Sequence, residues 1–221
     1  MSDSRDTRIG DLERENERLR RLLAAHNVPS ALRHQVRNSL ALMRAILRKS
    51  AETSTSVEDY AAHTEGRFDA LLRVQTLLIA ALDDGIPLAT LIADELVTHA
   101  IHESQCTTIE GPPVILGAKS AQLLGLAFHE LAVNAIKFGA LATREGRLSV
   151  SWSVPADIEL KLVLVWEETG MKGLAPPTVR GIGIDALENM LPYQMGSEVA
   201  SEFRPEGLRC TIRLPWHNLR M

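Results

Sequence analysis

Apolar positions recur at two periods along this chain, and the change between them divides it. Residues 3–27 are mostly charged, with apolar residues at heptad spacing. Setting Ile9 at position a puts Leu12 at d, Asn16 at a, Leu19 at d, Leu23 at a and His26 at d. An Asn at one a position favours an in-register parallel dimer. The flanking charges agree, since Arg8 would face Glu13 of the partner subunit and Glu15 would face Arg20 of the partner subunit. A solvated single helix is the alternative, because the run is shorter than the roughly three to four heptads that define a coiled coil.

Pro29 and Ser30 break or restart this helix. In residues 30–50, Leu32, Val36, Leu40, Met43, Ile46 and Leu47 form one stripe at about 100° per residue. SAETSTS, residues 50–56, reads as a polar loop, and Ser56 followed by Asp59 resembles a capping box with Asp in place of Glu. A second helix to about Leu82 carries Tyr60, Phe68, Leu71, Val74 and Leu78. One hairpin has no second layer to cover its apolar stripe. It therefore predicts dimerisation into a four-helix bundle, or packing on the rest of the chain.

Beyond DDGIP, residues 83–87, the texture becomes mixed. A short helix is expected near 88–96 and short strands near 107–110 and 113–116. A long apolar helix spans about 120–139, with Ser120 as candidate N-cap and Gly139 near the C-cap. RLSVSWSV (147–154) and IELKLVLVWEE (158–168) alternate like paired strands. A Gly- and Pro-rich loop (169–183), a helix (184–195) and a hairpin turned by Pro205-Glu206-Gly207 complete the chain. The result is an α+β class with three parts: a helix over 1–28, a helical hairpin over 29–83 and an α/β sandwich over 84–221.

Composition narrows the function classes. Apolar residues make up 45% of the 221, enough for a sizeable core. A net charge of −4 argues against a general nucleic-acid or membrane-surface binder. The two cysteines, Cys106 and Cys210, read as free thiols of a reducing cytosol. With no membrane-spanning apolar run and no signal-peptide pattern, a cytoplasmic protein without membrane insertion is expected.

The candidate chemistry begins in HELAVNAIKFGAL, residues 129–141. Glu130, Asn134 and Lys137 are spaced i, i+4, i+7 and fall within about 60° of one another around a helix. A carboxylate, an amide and an ammonium suit a magnesium-bound polyphosphate, with hard oxygens for Mg²⁺ and a cation for phosphate. Alone, the three read better as a solvent-facing stripe on an amphipathic helix. Glu168, at a strand end and followed by Gly170, is placed to accept from the exocyclic amine of adenine. Arg180-Gly181-Ile182-Gly183 then opens a helix, where glycines let backbone N–H groups approach phosphates.

Together these segments resemble the ATP-binding domain of histidine kinases, the Bergerat or GHKL fold, and more narrowly the HWE subfamily. His129 stands at the N-box histidine, within H-E-L-x-x-N-A-x-K-x-G-A-L, and Trp166-Glu167-Glu168 matches W-x-E. RGIGIDAL, then Gln194-Met195-Gly196 and Phe203 to Arg209, matches the closing region. The resemblance covers roughly residues 30–216. It implies ATP and Mg²⁺ as cofactors, with Asn134 holding Mg²⁺ and Glu130 beside it as a metal-shell or base-like residue. Lys137 and Arg180 would meet phosphates, Gly181 and Gly183 would line them, and Glu168 would read adenine beside Gly170. His129 and Trp166 are open between ring packing and nucleotide contact. Where the family continues x-G-G-P, this chain has Thr169-Gly170-Met171-Lys172, so the start of its lid departs from the pattern.

In LRHQVRNSLALMRAI, His34 lies about 200° from Val36, away from the apolar stripe and on a face with Asn38, Ala41 and Ala45. H-x-V-x-N-x-L resembles the family's phosphoacceptor box, which makes His34 the expected phosphoacceptor. The base that takes the imidazole proton is not identifiable: Gln35 follows the histidine, and no carboxylate adjoins it. His63, His99, His102 and His217 read as structural or exposed. The implied function is a histidine protein kinase that passes its phosphoryl group to an Asp of a response-regulator receiver. A homodimer, with input from a separate sensor protein, is expected. A histidine phosphotransferase with a decayed ATP site, or a GHKL serine kinase acting as an anti-sigma factor, are the alternatives.

Overall fold

The structure is a computed structural model describing residues 14–18, 30–81, 84–99, 107–155, 161–171, 182–215 and 219–220. At residues 30–32, 34, 35, 53, 161, 182–187, 189, 219 and 220 it describes the backbone alone. Of the N-terminal segment, residues 14–18 are helical, with Arg18 paired to Glu15 on its exposed surface at 2.9 Å. The remainder of the expected coiled coil lies outside the described residues.

Helix α1 (Ser30–Thr53) and helix α2 (Val57–Ala80) form the hairpin. α1 runs further than expected. Ser50 is helical and buried, where its Oγ accepts from the Arg67 guanidinium of α2 at 2.7 Å. The connection is therefore only 54–56. At the start of α2, the Asp59 N–H donates to Ser56 Oγ at 3.0 Å, while the Asp59 carboxylate accepts from Thr55 N–H at 3.1 Å. This is the expected capping box with its return bond displaced by one residue. On α1, Ile46 and Leu47 of the expected stripe are buried, joined by Leu42, while Asn38, Ala41 and Ala45 are exposed.

The chain forms two compact units, residues 1–68 and 69–221, so the division falls within α2, ahead of the 83–87 segment. The C-terminal half of α2 is held by the second unit. Gly125 leaves the room that Val74 fills, and Arg73 reaches Glu95.

The second unit is a two-layer α/β arrangement. β1 (Ile86–Pro87) leads into α3 (Leu88–Thr98), followed by β2 (Thr107–Glu110), β3 (Ile115–Leu116) and α4 (Ala118–Lys137). A 3-10 turn (Ala140–Ala142), β4 (Arg147–Ser153), β5 (Lys161–Thr169), α5 (Ile182–Met195), β6 (Glu198–Arg204), β7 (Gly207–Pro215) and β8 (Leu219–Arg220) complete it. The main sheet has the order β2-β4-β5-β7-β6, with β2 parallel to β4 and the other neighbours antiparallel. A smaller sheet, β1-β3-β8, lies apart from it in pairing.

Strand parity decides which side chains enter the core. Leu148, Val150 and Trp152 of β4, Leu162, Leu164 and Trp166 of β5, and Cys210, Ile212 and Leu214 of β7 are all buried. Glu168 has the same parity on β5, between Leu148 and Leu208 in register, and is 2% exposed. Glu167 has the other parity and pairs with Arg209 at 3.1 Å and Arg204 at 3.5 Å.

Two expectations about α4 change. Ser120 is not its N-cap: that position is Gly117, with no side-chain capping bond, and Ser120 is buried one turn inside. Among the described residues, one stretch, Ala118–Ala142, is long and apolar enough to cross a membrane by composition. Most of it is buried within the protein, because α4 packs with α3, α5 and the 3-10 turn and is buried around its circumference from Ser120 to Ala132.

Cys210 sits at the centre of this core, and burial pushes its thiol up to about 11. A Cys106→Ser variant should therefore show no reaction with Ellman's reagent at pH 8 in the native state and one equivalent after unfolding in denaturant, the thiolate being the reactive form.

Candidate functional site

The polar line on α4 emerges from the core as the helix runs toward its C-terminus. His129 and Glu130 are buried, at 7% and 8% exposure, Asn134 is half-buried and Lys137 is exposed. A wholly solvent-facing stripe is thus excluded, since its first carboxylate is inside the protein. The helix stops at Lys137, and Phe138 N–H and Gly139 N–H close on the carbonyls of Asn134 and Ala135. Gly139 is required by a neighbour from β5: a Cβ there would collide with Glu168 Oε2 and the Ala135 backbone.

That neighbour is fixed on both oxygens. Ala140 N–H donates to Glu168 Oε2 at 2.9 Å, and the Trp166 indole N–H donates to Glu168 Oε1 at 3.0 Å. Trp166 and Glu168 are i and i+2 on one strand face, so the W-x-E spacing is what brings indole and carboxylate together. Burial pushes the Glu168 carboxyl up from its ordinary value, and the two hydrogen bonds oppose that rise. Each oxygen keeps a second lone pair. Beyond Glu168, Gly170 has φ of +79°, the left-handed turn that ends β5.

Of the other residues expected at the site, Gly183 lies in the first turn of α5, which begins at Ile182. Arg180 and Gly181 lie outside the described residues. His34 lies in α1, described by its backbone alone. Asn134 and Lys137 thus lie in the last turn of α4 with Glu130 one turn earlier, and the Ala140–Glu168 bond ties the end of β5, with Gly170 beyond it, to the turn that follows α4.

The structure also supplies residues that the sequence reading missed. His129 Nδ1 lies 2.9 Å from Glu95 Oε1 of α3, and His99 Nε2 lies 3.0 Å from the same oxygen. Arg73 Nη2 of α2 donates to Glu95 Oε2 at 2.5 Å. Burial pushes the Glu95 carboxyl up, but the hydrogen bonds from His129, His99 and Arg73 outweigh it and hold it well below the usual carboxylate range. The signal available in sequence was the i, i+4 spacing of Glu95 and His99, which marks a shared helix face but not the element facing it. His129 therefore has a ring-anchoring contact.

Residues 31–113 match the HWE histidine kinase family. The chain is similar to the blue-light-activated histidine kinase 1 of Erythrobacter litoralis, with 32% identity over 198 residues, covering 86% of this chain and 53% of that protein. Residues 31–113 thus carry the HWE histidine kinase pattern, and the longer similarity is to histidine kinases. A blue-light-activated histidine kinase of Rhizobium johnstonii is 33% identical over 192 residues, again covering 86% and 53%. The chain thus spans about half the length of the curated relatives it matches. A solved histidine kinase domain from Erythrobacter litoralis shares the fold, with a TM-score of 0.58 and 17% identity over 95% of this chain and 94% of that one.

The surroundings of the α4 line suit Mg²⁺ and a polyphosphate. The line offers a carboxylate and an amide oxygen, the hard donors Mg²⁺ takes, then an exposed ammonium one turn further out.

Because the Glu168 carboxyl is raised, its charged form works against folding once pH climbs above the ordinary carboxylate value, and the Trp166 bond offsets part of that cost. Trp166→Phe keeps the ring in the core but removes the donor. It should destabilise the protein by about 1–3 kcal/mol in urea unfolding. The loss should grow as pH rises through the raised range in which Glu168 ionises, because the carboxylate form is the one that most needs the donor.

Proposed function

We propose that this chain is the kinase core of a two-component sensor, phosphorylating His34 from Mg-ATP. The observation that carries the reading is the bond from Ala140 N–H to Glu168 Oε2, at 2.9 Å, which draws the end of β5 over the end of α4. In this reading Glu130, Asn134 and Lys137 would line the nucleotide site together with Glu168 and Gly170. Bound Mg-ATP would supply the transferable γ-phosphoryl group. Asn134 and Glu130 would hold the metal, Lys137 and Arg180 would offset phosphate charge, and Gly181 and Gly183 would line the phosphates at the start of α5. Glu168 would orient adenine through its remaining lone pairs. A neutral His34 imidazole would attack the γ-phosphorus with its free lone pair as the bond to the departing ADP breaks, the proton on its other nitrogen leaving to water, and positioning with charge neutralisation would carry most of the catalysis. The phosphoryl group then passes to an Asp of a response-regulator receiver in the cytoplasm.

The domain reading is an N-terminal helix over 1–28, a hairpin over 29–83 and an ATP-binding unit over 84–221. The hairpin would pair into a four-helix bundle, with a separate sensor protein supplying input. Supporting this, Leu72 and Ile79 are seven residues apart on α2 and are 60% and 75% exposed. A mass measurement in solution should give a dimer, and Leu72→Glu with Ile79→Glu should give a monomer.

The enclosure of Glu168 favours one second reading, a histidine phosphotransferase that does not use its own ATP site. Incubation with γ-labelled ATP and Mg²⁺ separates the two. The kinase reading expects acid-labile label on the wild type, lost in His34→Ala and in Asn134→Ala. A wild type that binds no ATP and takes no label, yet accepts phosphoryl groups from a phosphorylated receiver, would establish the phosphotransferase instead.

A further inference from the structure

The Glu95 cluster is the strongest feature that the kinase reading leaves unused. Three elements meet at one buried carboxylate: Arg73 from α2, Glu95 and His99 from α3, and His129 from α4. Asp94 adds a second anion near the Arg73 Nε, at 3.8 Å. A carboxylate held in its charged form is an acceptor only, so the nitrogens facing it carry protons. His129 therefore carries a proton on Nδ1 and His99 one on Nε2. Their rings lie 5.5 Å apart between centroids, tilted by 34°.

One glutamate and two histidines with ligand atoms within 4.8 Å of one another have the composition of a metal site. The hydrogen bonds argue otherwise. One nitrogen of each ring is spent on the same Glu95 oxygen at hydrogen-bond distance, and a guanidinium occupies the other oxygen. A dication would have to displace protons and approach Arg73.

We infer that Glu95 is a positioning residue: anchored by Arg73, its carboxylate fixes the His129 imidazole and thereby the rotational setting of α4, which aims Glu130, Asn134 and Lys137. This rests on the proposed nucleotide role of that line. Glu130 directly follows His129, about 100° further around the helix. A helix with side chains is about 10–12 Å across, so a turn of about 10° moves a side-chain tip by about 1 Å. A misplacement of that size is enough to cost about 100-fold in a positioned reaction. The last turns of α4 end in solvent-exposed Lys137 and Phe138, whereas His129 is enclosed, so the anchor acts where the helix is held.

The test measures Mg–ADP affinity by calorimetry on the full chain. Glu95→Ala and His129→Ala should each weaken it about tenfold, and the double variant should be no weaker than the worse single, the mark of two residues acting as a unit. His129→Asn, which returns an N–H donor, should recover most of the loss, and Arg73→Gln should reproduce part of it. If Glu95→Ala fails to fold, Glu95→Gln takes its place in the cycle. Independent, multiplicative losses, or folded variants with wild-type affinity, overturn the inference and leave a purely structural network. Stoichiometric zinc in the purified protein, lost in both His99→Ala and His129→Ala, also overturns it. A wild type that binds no Mg–ADP defeats the nucleotide reading. Long-range ¹H–¹⁵N spectra of wild type then judge the anchor itself: a His129 proton on Nδ1 supports it, and an Nδ1 without a proton overturns it.

Discussion

A carboxylate held inside a protein must have its oxygens satisfied, or the cost of leaving water is not recovered. Glu168 meets that demand with one donor from its own strand face and one from the turn after α4. Everything local follows from this. Trp166 must have the same strand parity, Gly139 must lack a Cβ, and the 3-10 turn must present Ala140 N–H inward. The polar end of α4 and the end of β5 consequently share a boundary, which a nucleotide site needs.

The second buried acid, Glu95, solves the same problem differently. Its donors are a guanidinium and two imidazoles rather than an amide and an indole. Two neutral donors do not overcome burial at Glu168, so its carboxyl rises. Two imidazoles and a permanent cation do overcome it at Glu95, so its carboxyl falls. The first group is thus sensitive to protons above the ordinary carboxylate range, and the second keeps its charge. A fixed charge suits an anchor, because its geometry does not change with pH across the neutral range.

Much of the architecture was legible in the chain. The period of the apolar positions located α1, α2, α3 and α4, alternation located β4 and β5, and Pro205-Glu206-Gly207 located the final turn. The exceptions share a cause. Ser50 was read as loop because it is polar, yet Arg67 from the facing helix satisfies it inside the hairpin. Ser120 was read as a cap because Ser favours that position, yet packing begins α4 earlier and buries it. Tertiary partners override local preference in both cases.

The candidate site divides in the same way. The i, i+4, i+7 spacing put Glu130, Asn134 and Lys137 on one helix face, and W-x-E parity put Trp166 with Glu168, because helical and strand periods are properties of the backbone itself. How deep each residue lies was not contained in those periods, and Glu130 turned out enclosed while Lys137 is exposed. The contact of His129 with Glu95, itself held by Arg73, was equally invisible, since the cluster joins α4 to two other helices. Periodicity assigns a residue to a face. What stands opposite that face depends on how the elements pack, and only the tertiary structure decided that.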